Sequence, residues 1–176
     1  YISFKNMFTS RQIFNFDFLF GDISNKYDPF DWESFNDKSQ KYEAVATDVI
    51  TGDSTYFDRD KCSDIVAGVE ASASIPVMSK MIDVEGRKYL DGGVSTSIAY
   101  KRAFDLGYPR AVVVLTREEG YRKKPVNKVN ESIYKRYFKP LPRLVDKLMS
   151  VPERYNAMQK EMENLANEGK LLIIRP

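Results

Sequence analysis

Two adjacent glycines close an apolar run at "KYLDGGV", Lys88 to Val94. Neither a strand nor a helix interior suits such a pair, because glycine gives up more backbone freedom on ordering than any other residue. The pair therefore fixes a change of chain direction at one point. Ahead of it, "MIDVEGRKYLD" (Met81 to Asp91) reads as a hairpin turning at Glu85-Gly86. Behind it, Ser95, Thr96 or Ser97 can cap a helix. Ala99, Ala103 and Leu106 would share one face of that helix, and Gly107 with Pro109 would end it. One carboxylate, Asp91, stands where strand gives way to turn. It belongs either to a plain glycine turn or to a turn built to hold an acid exposed and fixed.

The remaining elements follow the same punctuation. "KYEAVATDV" (Lys41 to Val49) predicts a buried strand, "TGD" a turn, and "STYFD" (Ser54 to Asp58) the returning strand. A helix of about a dozen residues is expected from near Asp60. Its buried stripe would be Val66, Val69 and Ala73, and Pro76 would stop it. "AVVVL" (Ala111 to Leu115) reads as a fully buried, parallel strand. Two helices are expected within 129–168. The second would start at "SVPE", with Ser150 and Glu153 as a capping box and Tyr155, Met158, Met162 and Leu165 inward. Gly169 would end it before a last strand, "LLII", at Leu171 to Ile174. Strands alternating with helices predict an α/β sheet covered on both faces, with sites at the carboxyl ends of its strands.

Residues 1–35 hold 11 of the 23 aromatic residues. In "IFNFDFLF", Phe14, Phe16, Phe18 and Phe20 recur at period two, which puts all four on one face of a strand; a short irregular helix is the other option. Such a segment serves either as a core strand or anchor, or as a greasy cap beside an acyl-binding groove.

Composition narrows the chemistry. The 176 residues are 43% hydrophobic and 30% charged, a globular balance for one domain with a real core. There is no histidine. That excludes a Ser-His-Asp or Cys-His pair within these residues, and any zinc site that uses histidine. Cys62 is the only cysteine, so no internal disulfide can form, and without a histidine base it reads as a structural thiol. The acids Asp48, Asp53, Asp58, Asp60 and Asp64 lack the alternation and central glycine of a calcium loop, so no metal and no cofactor is expected. Residues 1–60 carry a net charge of −5 and residues 117–147 one of +6. The basic stretch is either a solvated face or a contact for a membrane surface with anionic head groups. No nucleic-acid module is recognisable, so nucleic acid is not an expected partner. No apolar run is long enough to span a bilayer and no secretory start is present, which leads to an expected cytoplasmic location.

"EASASIP" (Glu70 to Pro76), then "VEGRKYLDGGVSTSI", then "AVVVLT" resembles the C-terminal portion of the patatin-like phospholipases, and more narrowly their bacterial serine esterase branch. "FDFLFGDI", "YDPFD", "VATDVITG" and "PERYN" add to the likeness, which runs over nearly all of residues 1–176. The resemblance implies a patatin-like three-layer α/β sandwich around a mostly parallel sheet with added hairpins. It implies a hydrolase of lipid degradation, cleaving acyl esters of lipids or small esters with a serine–aspartate dyad. Asp91 would be the catalytic aspartate, and Gly92 and Gly93 would support it. Such a dyad needs no histidine.

An unperturbed aspartate has a pKa of ~3.9 and is a weak base for a hydroxyl. Asp91 must therefore be desolvated, or act in concert with nucleophilic attack. A following helix N-terminus favours its ionised form instead. Gly92 and Gly93 would permit both close backbone approach and positive φ.

The family's G-x-S-x-G nucleophile elbow and glycine-rich oxyanion loop do not occur here. Gly93-Val94-Ser95 and Gly52-Asp53-Ser54 both lack the second glycine. Ser97-Ile98-Ala99 also departs from the polar residue and Ile-Pro commoner in the family at that point. The expectation is that the serine lies before Tyr1 and that this chain is the C-terminal part of one hydrolase domain, inactive alone. It would then self-associate or pair with the N-terminal part. The competing expectation is a non-catalytic module of the same fold that binds a lipid surface or a protein.

Overall fold

The computed structural model describes residues 16–176. They form a mixed α/β protein whose chain divides into two compact units, 1–95 and 96–176.

The first unit is built on a four-stranded antiparallel sheet. Its strands are β1 (Glu43–Asp48), β2 (Ser54–Asp58), β3 (Ile82–Val84) and β4 (Arg87–Asp91), in the order β2-β1-β4-β3. The β3–β4 hairpin turns at Glu85-Gly86, as the sequence predicts. Both turn residues are left-handed, at φ 54° and 79°, the geometry whose twist suits a two-residue hairpin. Across β1, Ala44 faces Phe57 and Ala46 faces Asp91. Ala44, Ala46, Phe57, Ile82, Val84 and Tyr89 make the core on one side of the sheet.

Helix α3 (Ile65–Ser72) covers that side. It is shorter than expected. Asp64 caps it by accepting from the Ala67 N–H at 2.9 Å, so it starts later than Asp60, and it ends before Pro76. Its buried residues are Gly68 and Ala71; Val66 and Val69 are half-buried and Ala73 is exposed. The reason is distance. A Cβ on Gly68 would stand 3.0 Å from the Phe57 ring, so only the smallest side chains let the helix come this close to the sheet.

The period-two aromatic run is helical where it is described. A wide, π-type helix, α1 (Asp17–Tyr27), follows buried Phe16. Phe16 and Phe20 meet edge to face at 5.7 Å, a pairing of residues four apart on a helix and not of alternate residues on a strand. Phe14 lies outside the described residues. A single turn, α2 (Trp32–Phe35), comes next, capped by Asp31, which accepts from the Ser34 N–H and hydroxyl.

The second unit holds α4 (Tyr100–Asp105), β5 (Ala111–Val114), α5 (Lys128–Tyr137), α6 (Pro142–Asn167) and β6 (Leu171–Ile174). β5 and β6 are parallel neighbours. Thus the described strands are mostly antiparallel, unlike the expected mostly parallel sheet. β1 with β2 and β3 with β4 are joined by short turns and can return only antiparallel, while the parallel neighbours β5 and β6 have α5 and α6 between them. β5 is not buried on both faces: Val113 is buried, while Val112 and Val114 are exposed. No serine caps α4. Ala99 precedes it, and Tyr100 with Phe104 rather than Ala103 with Leu106 packs on the core of this unit. Gly107 follows α4 at φ 89°, and Gly169 follows α6 at φ 70°, as their positions suggest.

The long helix corrects the expected start at Ser150. It begins at Pro142, where a missing N–H costs nothing, and runs through Pro152. Ser150 donates to the Asp146 carbonyl at 2.9 Å inside the helix, and Arg154 donates to the Lys147 carbonyl at 2.9 Å, next to the turn that Pro152 weakens. Tyr155 and Met162 are buried and Met158 and Leu165 are partly so, as the periodicity predicts. No helix among the described residues is long and apolar enough to cross a membrane.

Candidate active site

Asp91 is the last residue of β4 and is half-buried. Its backbone is held from two directions. The Asp91 N–H donates to the Ser74 carbonyl at 2.9 Å, just beyond α3. The Asp91 carbonyl accepts from the Thr47 hydroxyl on β1 at 2.8 Å. The carboxylate Oδ1 accepts from the Gly93 N–H at 2.6 Å, which caps the 3₁₀ turn Gly92–Val94. Because Ala46 lies opposite Asp91, the pleat puts this carboxylate on the face that α3 covers.

The two glycines do different things. A Cβ on Gly92 would stand 2.2 Å from the Val45 carbonyl oxygen, so the turn presses directly on β1. A Cβ on Gly93 would stand 2.9 Å from Asp91 Oδ1, so its absence leaves room for the carboxylate. Neither has a positive φ; the expected left-handed backbone is not used here, and close approach alone calls for glycine.

Ser95, expected to cap a helix, is engaged elsewhere. Its hydroxyl lies 2.8 Å from both Thr47 Oγ1 and Ser54 Oγ, and its N–H donates to Thr47 Oγ1 at 3.0 Å. Thr47 is fully buried, so this chain of hydroxyls locks β1, β2 and the Gly-Gly turn together. Sequence reading gave Thr47, Ser54 and Ser74, which lie 17 to 44 residues from Asp91, no part in holding it. It also missed Val77, a β-branched residue at φ 70° in the loop after Ser74. That backbone is strained for valine, and strain of this kind gathers near functional sites.

The other acids have structural work. Asp48 is buried; its Oδ1 accepts from the Ile50 and Thr51 N–H groups and its Oδ2 pairs with Arg87 at 2.6 Å. Asp58 accepts from the Asp60 N–H, which holds its carboxyl below the usual range. Asp64 caps α3. Among the described residues no three cysteine or acidic side chains converge as a metal site. Cys62 packs against the core, and burial pushes its thiol up, away from thiolate chemistry.

An apolar cavity of about 430 Å³ lies at the other end of α3. Phe20, Phe30, Trp32, Phe35 and Tyr42 wall one side, and Ile65, Val66 and Val69 of α3 wall the other. Burial raises the Tyr42 phenol above its ordinary range.

In the basic stretch, Arg117 stacks over Tyr121 and Lys123 over Tyr155, while Asn156 brackets the Lys123 backbone with two hydrogen bonds. Helix α5 has no buried residue and exposes Val129, Ile133 and Tyr137 at i, i+4 and i+8.

Comparison with protein-family models and with curated protein sequences finds no match for this chain.

Proposed function

We propose that this chain carries the aspartate half of a serine–aspartate acyl hydrolase of the patatin-like type, acting on lipid or small acyl esters. The observation that supports this reading is the mounting of Asp91. Its carboxylate stands half-buried at a strand end, its backbone is tied to Ser74 and Thr47, and a glycine N–H orients one oxygen. A carboxylate fixed in this way can receive a hydroxyl proton without first paying to order itself. The nucleophilic serine and the oxyanion donors are to come from residues outside these 176. The wider, mostly parallel three-layer sandwich belongs to the same proposal. What favours it is the face of β5–β6 that presents Val112, Val114, Leu172 and Ile174 to solvent, an apolar surface that further elements of such a sandwich would cover.

The test has two parts. Sequence upstream of Tyr1 in the same reading frame is expected to encode a glycine-rich loop and then G-x-S-x-G; their absence would overturn the proposal. In the polypeptide that joins both parts, Asp91→Asn is expected to abolish ester hydrolysis and fluorophosphonate labelling of the serine while urea unfolding stays unchanged. Full activity in that variant would remove Asp91 from the chemistry.

A second reading has its own observation. The exposed apolar stripe of α5, with Lys128, Lys135 and Arg136 on the same helix, suits a non-catalytic contact with an anionic lipid surface. Sedimentation with anionic but not zwitterionic vesicles, unchanged by Asp91→Asn, is the expected result under that reading.

A further inference from the structure

We infer that the aromatic cavity beside α3 is a binding site for a single apolar acyl chain. Helix α3 turns Gly68 and Ala71 onto the sheet and leaves Ile65, Val66 and Val69 toward the cavity. Ile65 and Val69 also pack against the core cluster of the sheet, so the cavity adjoins that core and shares its apolar side chains. Across from them, the rings are fixed in place by one another. Phe30 and Trp32 meet at 4.8 Å, Phe30 and Phe35 at 5.4 Å, and Phe35 and Tyr42 at 5.2 Å, all edge to face. Arg59 buttresses this wall from behind: its guanidinium sits over the Phe35 ring and donates to the Phe35 carbonyl. The Asp31 cap holds the single turn that carries Trp32. A wall supported at each point resists collapse, so the volume persists.

The lining also selects the ligand. Among the described residues it contains no charged side chain. The Ser24 hydroxyl is committed to the Leu19 carbonyl at 3.1 Å, which leaves the Tyr42 phenol and the Trp32 indole N–H as the polar groups of the described wall. About 430 Å³ falls in the range of small-molecule sites. Phe30, Trp32 and Tyr42 remain 45%, 41% and 36% exposed, so the cavity is open to an entering chain. Ala44 and Ala46 run from the Tyr42 end of β1 to the position opposite Asp91, on the same face of the sheet. The cavity therefore lies about 13 Å along the strand from the carboxylate. The choice of an acyl chain among apolar ligands rests on the acyl-hydrolase reading; the cavity and its polarity do not.

Trp32 is the only tryptophan in the chain and it lines the cavity, so intrinsic fluorescence reports on this site without background. The experiment titrates the full 176-residue chain with saturated fatty acids of eight to fourteen carbons, each below its micelle concentration, and with a naphthalene sulfonate probe. The expected result is a saturable change in Trp32 emission. Affinity should rise about four-fold per added methylene until the chain outgrows the cavity. Val69→Phe, which fills the space, is expected to weaken binding at least ten-fold; Val66→Phe serves the same purpose if that variant does not fold. Asp91→Asn should leave binding unchanged, so a failed dyad and a failed cavity give different results. No response of Trp32 to any acid, affinity independent of chain length, or binding unaltered in a folded cavity-filling variant would each overturn the inference. Binding of the naphthalene probe without the acids would overturn the acyl assignment.

Discussion

Replacing Gly92 by alanine tests how tightly the Gly-Gly turn is built. The added methyl would stand 2.2 Å from the Val45 carbonyl oxygen, 2.8 Å from its carbonyl carbon and 2.8 Å from its Cγ1. An unstrained carbon–oxygen contact needs roughly 1 Å more. The obstacle is strand backbone, so relief requires β1 and β4 to part near the Ala46–Asp91 pair. Overpacking of this kind costs about 1–3 kcal/mol, and rigid backbone puts the site at the upper end. Alanine also restricts the unfolded chain, which returns about 0.4–1 kcal/mol. The net expectation is a loss of about 2 kcal/mol. Gly93→Ala is the internal control. Its methyl meets Asp91 Oδ1 at 2.9 Å, a side-chain atom whose shift strains the bond from the Gly93 N–H but leaves the β1 backbone in place. Its net cost should be about 1 kcal/mol, smaller than that of Gly92→Ala. Urea unfolding followed by Trp32 emission reads the first unit directly, since Trp32 lies in it. A Gly92→Ala variant as stable as the parent, or less harmful than Gly93→Ala, would refute the close-approach argument.

Other consequences are equally open to measurement. Thr47→Val leaves the Asp91 carbonyl and the Ser95 N–H without their hydroxyl partner, and a loss of about 1–3 kcal/mol is expected in urea unfolding, with Thr47→Ser recovering most of it. The Ser63 N–H, and after it the Ser63 hydroxyl, lower the Glu85 pKa. Its stabilisation is therefore present above the unfolded carboxylate value of about 4.3 and is lost as pH falls through the lower folded value. Glu85→Gln should be less stable than the parent at pH 7 and equal to it near pH 2 in thermal unfolding. Burial raises the Cys62 thiol, so its contribution is complete below the unfolded value of about 8.5 and fades as pH rises toward the higher folded one. A disulfide reagent at pH 8 should label Cys62 more slowly in the native chain than in urea; equal rates would contradict that burial.

Local chemistry made part of this molecule readable. Glu85-Gly86 is a hairpin turn because both residues must be left-handed, and Gly107 and Gly169 follow helices for the same reason. β2 and β6 lie where aromatic or β-branched residues sit between turn residues, and β4 follows directly from the Glu85-Gly86 turn. Asp91-Gly92-Gly93 marks the strand end because no regular element continues through it. These are effects of nearest neighbours, and they needed no partner strand.

Other features depend on what the chain meets at a distance. The period-two phenylalanines became helical because Phe16 had a core to enter and Phe20 a place to pack beside it. α3 turned its small residues to the sheet because the Phe57 ring left no space for larger ones. Ser95 left helix capping to join Thr47 and Ser54, residues 48 and 41 positions away. The anchoring of Asp91 by Ser74 and Thr47, and the wall of rings facing Val66 and Val69, likewise exist only once α3 and the sheet have come together. Period and punctuation say where a chain bends; which side chains share a surface is set by volume, and volume is fixed only when the layers close.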